Sequence, residues 1–263
     1  MSPPDERELL DIAVEAARRA GAVLTDYFRR PASGIDTKST ATDLVSDADR
    51  DSEELIRTLV ANRRPDDGFV GEEGGRAASG SGIRWVVDPL DGTVNFLFGR
   101  AEWSVSIAAE DHDGAIVGVV HDPNGDETFT AVRGQGAWLD GRPIRVSACD
   151  DLTRALVGTG FAYDAEVRRV QAEVVARVLP RVRDIRRAGS AALDLVALAC
   201  GRLDGFYEAT METWDRSAGV LIAIEAGAVV TDMEQVLGHS PGVIGANPQL
   251  HPALSALVEP SSG

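Results

Sequence analysis

Trp85-Val86-Val87-Asp88-Pro89-Leu90-Asp91-Gly92-Thr93-Val94-Asn95-Phe96 decides how the rest of the chain is read. The apolar, β-branched run from Ile83 to Val87 predicts a buried strand. It breaks off in Asp88 and Asp91, with a proline between them and Gly-Thr behind, so a strand delivers a tight, acid-lined turn. Two unpaired carboxylate anions are costly to bury side by side, and each raises the other's pKa unless a cation lies between them. Aspartate oxygens and backbone carbonyls are the hard ligands that magnesium prefers. Gly92 and Thr93 bring backbone N–H groups without bulk, the kind of donor nest that holds phosphate. One turn can therefore hold a metal and a phosphate. Taken alone it can equally be an ordinary acidic turn, because Asp, Pro and Gly suit turn geometry.

Two further segments bear on that choice. Phe69-Val70-Gly71-Glu72-Glu73-Gly74 is another apolar run ending in paired carboxylates. Trp214-Asp215-Arg216-Ser217-Ala218-Gly219 sets Asp215 at the start of a helical run. With Gly-Glu-Glu, Asp-Pro-Leu-Asp-Gly-Thr and Trp-Asp in this order, the sequence resembles the inositol monophosphatase family of magnesium-dependent, lithium-sensitive phosphomonoesterases. The match runs from about Lys38 to Asn247, nearly the whole chain.

Composition is that of an ordinary soluble globular protein. The chain has 263 residues, enough for one large domain or two fused halves, and its net charge of −16 argues against nucleic acid or an anionic membrane as partner. An anionic substrate would then need bound cations to be attracted. No stretch approaches the length of an apolar membrane span, and the acidic N-terminus lacks a signal-peptide core. Cys149 and Cys200 form no metal spacing or disulfide framework, so reduced thiols in a cytoplasm are expected.

Apolar spacing predicts helices over residues 5–30 and 47–62, joined by a polar connection over 34–46. Residues 76–82, rich in Ala, Ser and Gly, read as a flexible surface loop. Runs at 104–109, 116–121 and 128–132, separated by Asp/Gly and Asn/Gly turns, predict a hairpin-rich antiparallel sheet. From about residue 150, strands (155–159, 204–207, 228–231, 243–246) alternate with helices (164–179, 190–200, 215–226, 250–258), an α/β pattern. The resemblance implies a layered αβαβα sandwich of the sugar-phosphatase type. Residues 1–150 would form an α+β half carrying the metal-binding turns, and 151–263 an α/β half carrying Asp215 and the substrate contacts, fused as one compact unit.

The resemblance also assigns roles. Glu72, Asp88 and the Leu90 carbonyl would hold one Mg2+; Asp88, Asp91 and Asp215 a second; and some relatives hold a third near Glu72. Paired cations about 3.5–4 Å apart stabilise the entering water and the leaving oxygen of an in-line displacement. Thr93, with Asp49 and Glu72, would activate the water. Asp49 is equally an acidic residue of a first helical turn, where the helix dipole favours it. The amides of Gly92 and Thr93 would hold phosphate, and Lys38 either adds charge there or is simply solvated. Gly189, Ser190, Ala191 and Glu208, together with Asp91, would meet the hydroxyls of a sugar-like ring. Ser190 also fits a helix N-cap. Arg186 and Arg187 could meet a second phosphate or serve surface salt bridges. Phe98 and Ser217 depart from the family's usual residues without touching a metal ligand.

The resulting expectation is a cytosolic phosphatase, homodimeric by resemblance, acting on a small polyol phosphate. Myo-inositol 1-phosphate is the favoured substrate, and histidinol phosphate, fructose 1,6-bisphosphate and phosphoadenosine phosphate are the alternatives. A rival of another class is a non-catalytic regulatory protein on a phosphatase scaffold.

Overall fold

Helix α1 (Glu6–Phe28) begins where Asp5 accepts the N–H groups of Arg7 and Glu8, and it buries Leu9, Ile12, Ala13, Ala16, Ala20 and Leu24 along one stripe. The computed structural model describes residues 5–29, 34–37 and 44–259; Lys38 lies outside them. The polar connection contains a two-residue antiparallel pair, β1 (Asp36–Thr37) and β2 (Leu44–Val45), before α2 (Asp47–Arg63). Next come β3 (Gly68–Gly71), β4 (Arg76–Ala77), β5 (Arg84–Asp91), the short helix α3 (Thr93–Leu97), β6 (Ser104–Asp111) and β7 (Gly114–Asp122). They are followed by β8 (Glu127–Val132), β9 (Gly136–Leu139), β10 (Arg142–Pro143), β11 (Leu156–Thr159), α4 (Ala165–Val178) and β12 (Asp184–Arg186). The chain continues through α5 (Ala191–Ala199), β13 (Gly205–Glu208), α6 (Thr213–Glu225), β14 (Val229–Asp232), β15 (Val243–Ala246) and α7 (His251–Val258).

These elements stack as α-β-α-β-α. An eight-stranded sheet, ordered β10-β9-β8-β7-β6-β5-β3-β4, is antiparallel except between β3 and β5. A five-stranded mixed sheet runs β12-β11-β13-β15-β14. Helices α1 and α2 cover the outer face of the larger sheet, α5 and α6 lie between the sheets, and α4 and α7 cover the far face of the smaller one. Each junction has its own apolar core. Leu9, Trp85 and Ile107 sit in the first, Phe129, Leu195 and Ile222 in the second, and Val157, Ile244 and Leu254 in the third. Covering both faces of a sheet this way is why β5, β6 and β7 read as continuous apolar runs.

Three local features differ from the sequence reading. Residues 76–82 carry the exposed edge strand β4, and their serines are bonded: Ser79 Oγ donates to Ile83 O at 2.8 Å and Ser81 Oγ to Asp67 Oδ1 at 2.6 Å. The hydroxyls that suggested a loose loop tie it down. Strand β12 was not anticipated; three residues on a sheet edge leave too little alternation to read. Nor was α3, whose five residues are fixed by tertiary contact: Phe96 packs 5.3 Å from Phe28 and 5.1 Å from Trp103, centroid to centroid.

Candidate active site

Strand β5 ends in a bulge. Asp88 pairs with Ser106 and Asp91 with Ser104, so Pro89 and Leu90 together face one residue of β6. Proline donates no ladder hydrogen bond, which is why the irregularity falls there. The bulge folds the strand end onto itself, with Leu90 N–H donating to Asp88 Oδ1 at 3.0 Å, and Asp88, Leu90 and Asp91 are all buried. Gly92 turns the chain into α3 at φ +95°; a Cβ there would lie 2.7 Å from Glu102 O. Only glycine fits both demands.

Helix α2 buttresses this turn through one polar edge, Asp49, Ser52 and Glu53, all buried at helical spacing. Thr93 Oγ1 lies 3.1 Å from Asp49 Oδ1 and 3.0 Å from Leu90 O, so its one proton can serve either acceptor. The other oxygen of Asp49 accepts the Ser46 N–H at 2.8 Å and the Ser46 hydroxyl at 2.6 Å. Asp49 is thus both the first-turn carboxylate of a capping box and the hydrogen-bond partner of Thr93. Ser52 Oγ donates to Pro89 O at 2.9 Å. Glu53 accepts the N–H groups of Glu73 and Gly75, each at 2.8 Å, and so shapes the turn that presents Glu72.

Glu72 leaves β3 beside β5, its N–H donating to Val87 O at 3.1 Å. Asp215 is in the first turn of α6, where its Oδ2 accepts the Glu212 N–H at 2.7 Å. Three separate segments thereby aim Glu72, Asp88, Asp91 and Asp215 at one cleft. Burial first, then the charges of Glu72, Asp91 and Asp215, holds the Asp88 carboxyl well above the usual range. Asp215 is raised for the same reasons, with Glu72 and Asp91 as its charged neighbours. Burial pushes Asp91 up to about 6, against the opposing pull of bonds from Ser190, Ala192 and Ala191. Another group of metal-type ligands among the described residues, Asp111-His112-Asp113, is on the β6–β7 turn, where Arg133 engages Asp111 at 3.0 Å.

The cleft measures about 650 Å³ and is lined from the smaller sheet by Gly160, Arg187, Gly189, Ala191 and Glu208. Ser190 is not part of that wall. It is buried, caps α5 by accepting the Leu193 N–H at 3.2 Å, and its hydroxyl donates to Asp91 Oδ2. Ala191 and Ala192 N–H also donate to Asp91, at 3.2 and 2.8 Å, so a carboxylate from β5 caps a helix lying between the sheets. Ser190 is the N-cap of α5 and also bonds Asp91, while Gly189 and Ala191 reach the cleft. Arg186 pairs with Asp184, whereas Arg187 faces the cleft. Glu208 closes the wall at the end of β13, its carboxyl pushed to about 8 by burial and the charge of Asp91. Gly160 makes room for it, since a Cβ there would fall within 2.1 Å of the carboxylate.

Sequence reasoning missed Ser52, Glu53, Asn95, Gly160 and Asp194. Buried Asp194 stands behind the cleft wall with its carboxyl raised to about 8 by burial and the charges of Glu208 and Asp91. For Ser52 and Glu53 a signal existed: polar residues at three- and four-residue spacing from Asp49, on a helix whose other buried positions are mainly apolar.

The model of the inositol monophosphatase family matches residues 5–262. The chain belongs to the inositol monophosphatase family. Within it, an inositol-1-monophosphatase of Mycobacterium leprae (strain TN) is 40% identical over 268 residues, covering 96% of this chain and 92% of the relative. The Nus factor SuhB of Escherichia coli (strain K12) is 36% identical over 254 residues, covering 94% of each. The crystal structure of extragenic suppressor protein suhB from Bartonella henselae superposes with a TM-score of 0.91 at 36% identity, over 97% of this chain and 100% of that one. That structure shares the layered sandwich, so the fold that the resemblance implied is the fold observed.

Proposed function

We propose that the protein is a magnesium-dependent phosphomonoesterase of small polyol phosphates, with myo-inositol 1-phosphate the favoured substrate. The observation that carries this reading is the convergence of Glu72, Asp88, Asp91 and Asp215 on one cleft beside the Gly92–Thr93 turn. Buried carboxylates that raise one another's proton affinity form a hard-oxygen donor set that divalent cations relieve. The residues present therefore fit the metal.

On this reading Glu72, Asp88 and the Leu90 carbonyl would hold one Mg2+, and Asp88, Asp91 and Asp215 would hold a second. Bound there, the ions supply positive charge to the phosphoryl group and acidify water. Thr93 Oγ1 donates its proton to Asp49 Oδ1 and keeps a lone pair to accept one from the attacking water. The N–H groups of Gly92 and Thr93, at the N-terminal end of α3 and so without helical partners, hold phosphate oxygens. Glu208 accepts from substrate hydroxyls, and Gly189 and Ala191 offer backbone contacts. Water attacks phosphorus directly, with no phosphoenzyme. The name of the M. leprae relative supports inositol 1-phosphate as the ester.

A second reading rests on the Nus factor SuhB relatives, among them one of Pasteurella multocida at 40% identity: a regulatory role on the same scaffold. The deciding experiment is phosphate release with Mg2+ across inositol 1-phosphate, histidinol phosphate, fructose 1,6-bisphosphate, phosphoadenosine phosphate and glycerol 2-phosphate. A dominant rate on inositol 1-phosphate, abolished by chelator, is expected. Negligible turnover of every ester by folded protein in excess Mg2+ would move the assignment to the regulatory role.

A further inference from the structure

Asn95 lies two positions beyond Thr93 and is 5% exposed. Its side-chain Nδ2 donates to Glu102 O at 2.7 Å and to Ala188 O at 2.9 Å. Both partners are carbonyls, so the amide has one workable orientation. Ala188 opens the segment that carries Gly189 and Ala191 to the cleft wall. The segment presses on the amide: Gly189 has φ +99°, and a Cβ there would come within 2.8 Å of Asn95 Nδ2. A second tie between this segment and the phosphate turn runs through Asp91, which accepts from Ser190, Ala191 and Ala192. That tie uses a carboxylate that would also hold a metal on the proposed function. The Asn95 tie is neutral and independent of it.

We propose that Asn95 is a specificity-positioning residue. By gripping the Ala188 carbonyl, it sets segment 188–191 at the distance from the Gly92–Thr93 turn that a polyol phosphate spans. The inference rests on the proposed phosphatase function and adds a residue that never touches the substrate. An ester without ring hydroxyls does not use that distance, so the two ester types separate this role from a general one.

The test measures kcat and KM of the full chain, wild type and Asn95→Ala, on inositol 1-phosphate and p-nitrophenyl phosphate in saturating Mg2+. A KM increase of about 10- to 100-fold on inositol 1-phosphate is expected, the scale of a small misplacement of binding groups. On p-nitrophenyl phosphate kcat/KM should stay within about threefold. Asn95→Asp keeps the shape but turns oxygen toward two carbonyls, so it should behave like Asn95→Ala; wild-type kinetics in Asn95→Asp would reduce the role to packing and overturn the proposal. Equal losses on both esters, or a loss in kcat alone, would also overturn it. Asn95→Asp, which keeps the volume of the amide, keeps the test decisive if Asn95→Ala does not fold. Amide hydrogen exchange provides a readout without turnover, with residues 188–193 expected to exchange faster in the variants. Should wild type hydrolyse none of the esters, the proposed function fails, and unchanged exchange would then be what refutes the Asn95 clamp.

Discussion

Single side chains at this site do two things at once. Asp49 closes the first turn of α2 and receives the Thr93 hydroxyl; Asp91 faces the cleft and caps α5. The two departures from family pattern stay outside this economy. Ser217 Oγ donates to Glu110 Oε1 at 2.7 Å, away from the cleft, and Phe98 is 76% exposed. Asp88→Asn keeps the volume but removes the charge shared by both proposed ions, so kcat/KM should fall by about a thousandfold, roughly 4 kcal/mol of transition-state stabilisation. Retained activity in that variant, with an unchanged thermal midpoint, would refute the two-ion reading. Gly160→Ala is predicted to be disproportionately harmful for a single methyl, because the Glu208 carboxylate occupies its place. The expected outcome is a tenfold or greater rise (about 1.4 kcal/mol) in KM for inositol 1-phosphate, checked by steady-state kinetics.

At the scale of elements, α2 is the scaffold of the site. Its edge of Asp49, Ser52 and Glu53 reaches Thr93, Pro89 and the turn carrying Glu72, so one helix registers two separate turns. Glu53→Ala would remove the partner of the partly buried N–H groups of Glu73 and Gly75, a cost of about 1 kcal/mol for each. A lower midpoint in urea should accompany a higher Mg2+ concentration for half-maximal activity. A normal Mg2+ requirement would show that the Glu72 turn holds itself. The long elements were legible because their apolar periods span several turns: α1, α2 and the β6–β8 meander fall close to their expected bounds. The short elements β12 and α3 were not, because a few residues carry no period and take their shape from what they pack against.

The whole molecule carries a net charge of −16, with buried carboxylates gathered between its two sheets. Asp91 titrates near 6 and Asp194 and Glu208 near 8, all above the value of about 4 for an unfolded carboxylate. Between about pH 4 and pH 8 the metal-free native chain therefore binds more protons than the unfolded chain. This stabilisation is complete below the unfolded value and is lost as pH rises through the folded values. His121, kept neutral by burial, works in the opposite sense only below its ordinary value of 6.5. In chelator, the thermal midpoint should accordingly fall from pH 6.5 to pH 8.5, and excess Mg2+ should restore most of the loss by binding the native state. A midpoint that rises with pH in chelator would contradict this. Lithium should inhibit turnover by competing at a magnesium position, tested by inhibition at fixed ester and varied Mg2+.

The sequence by itself determined the inventory: the carboxylates, the Gly-Thr turn, the main helices and strands in order, and through them the family. Those signals are local, since periodicity, turn chemistry and short motifs lie within a few consecutive residues. Only the tertiary structure decided how the inventory is held. The bonds from Thr93 to Asp49, Asn95 to Ala188 and Ser190 to Asp91 span 44, 93 and 99 positions. That Ser190 both caps α5 and reaches Asp91 depends on how the layers pack, and packing across layers leaves no mark in the local pattern.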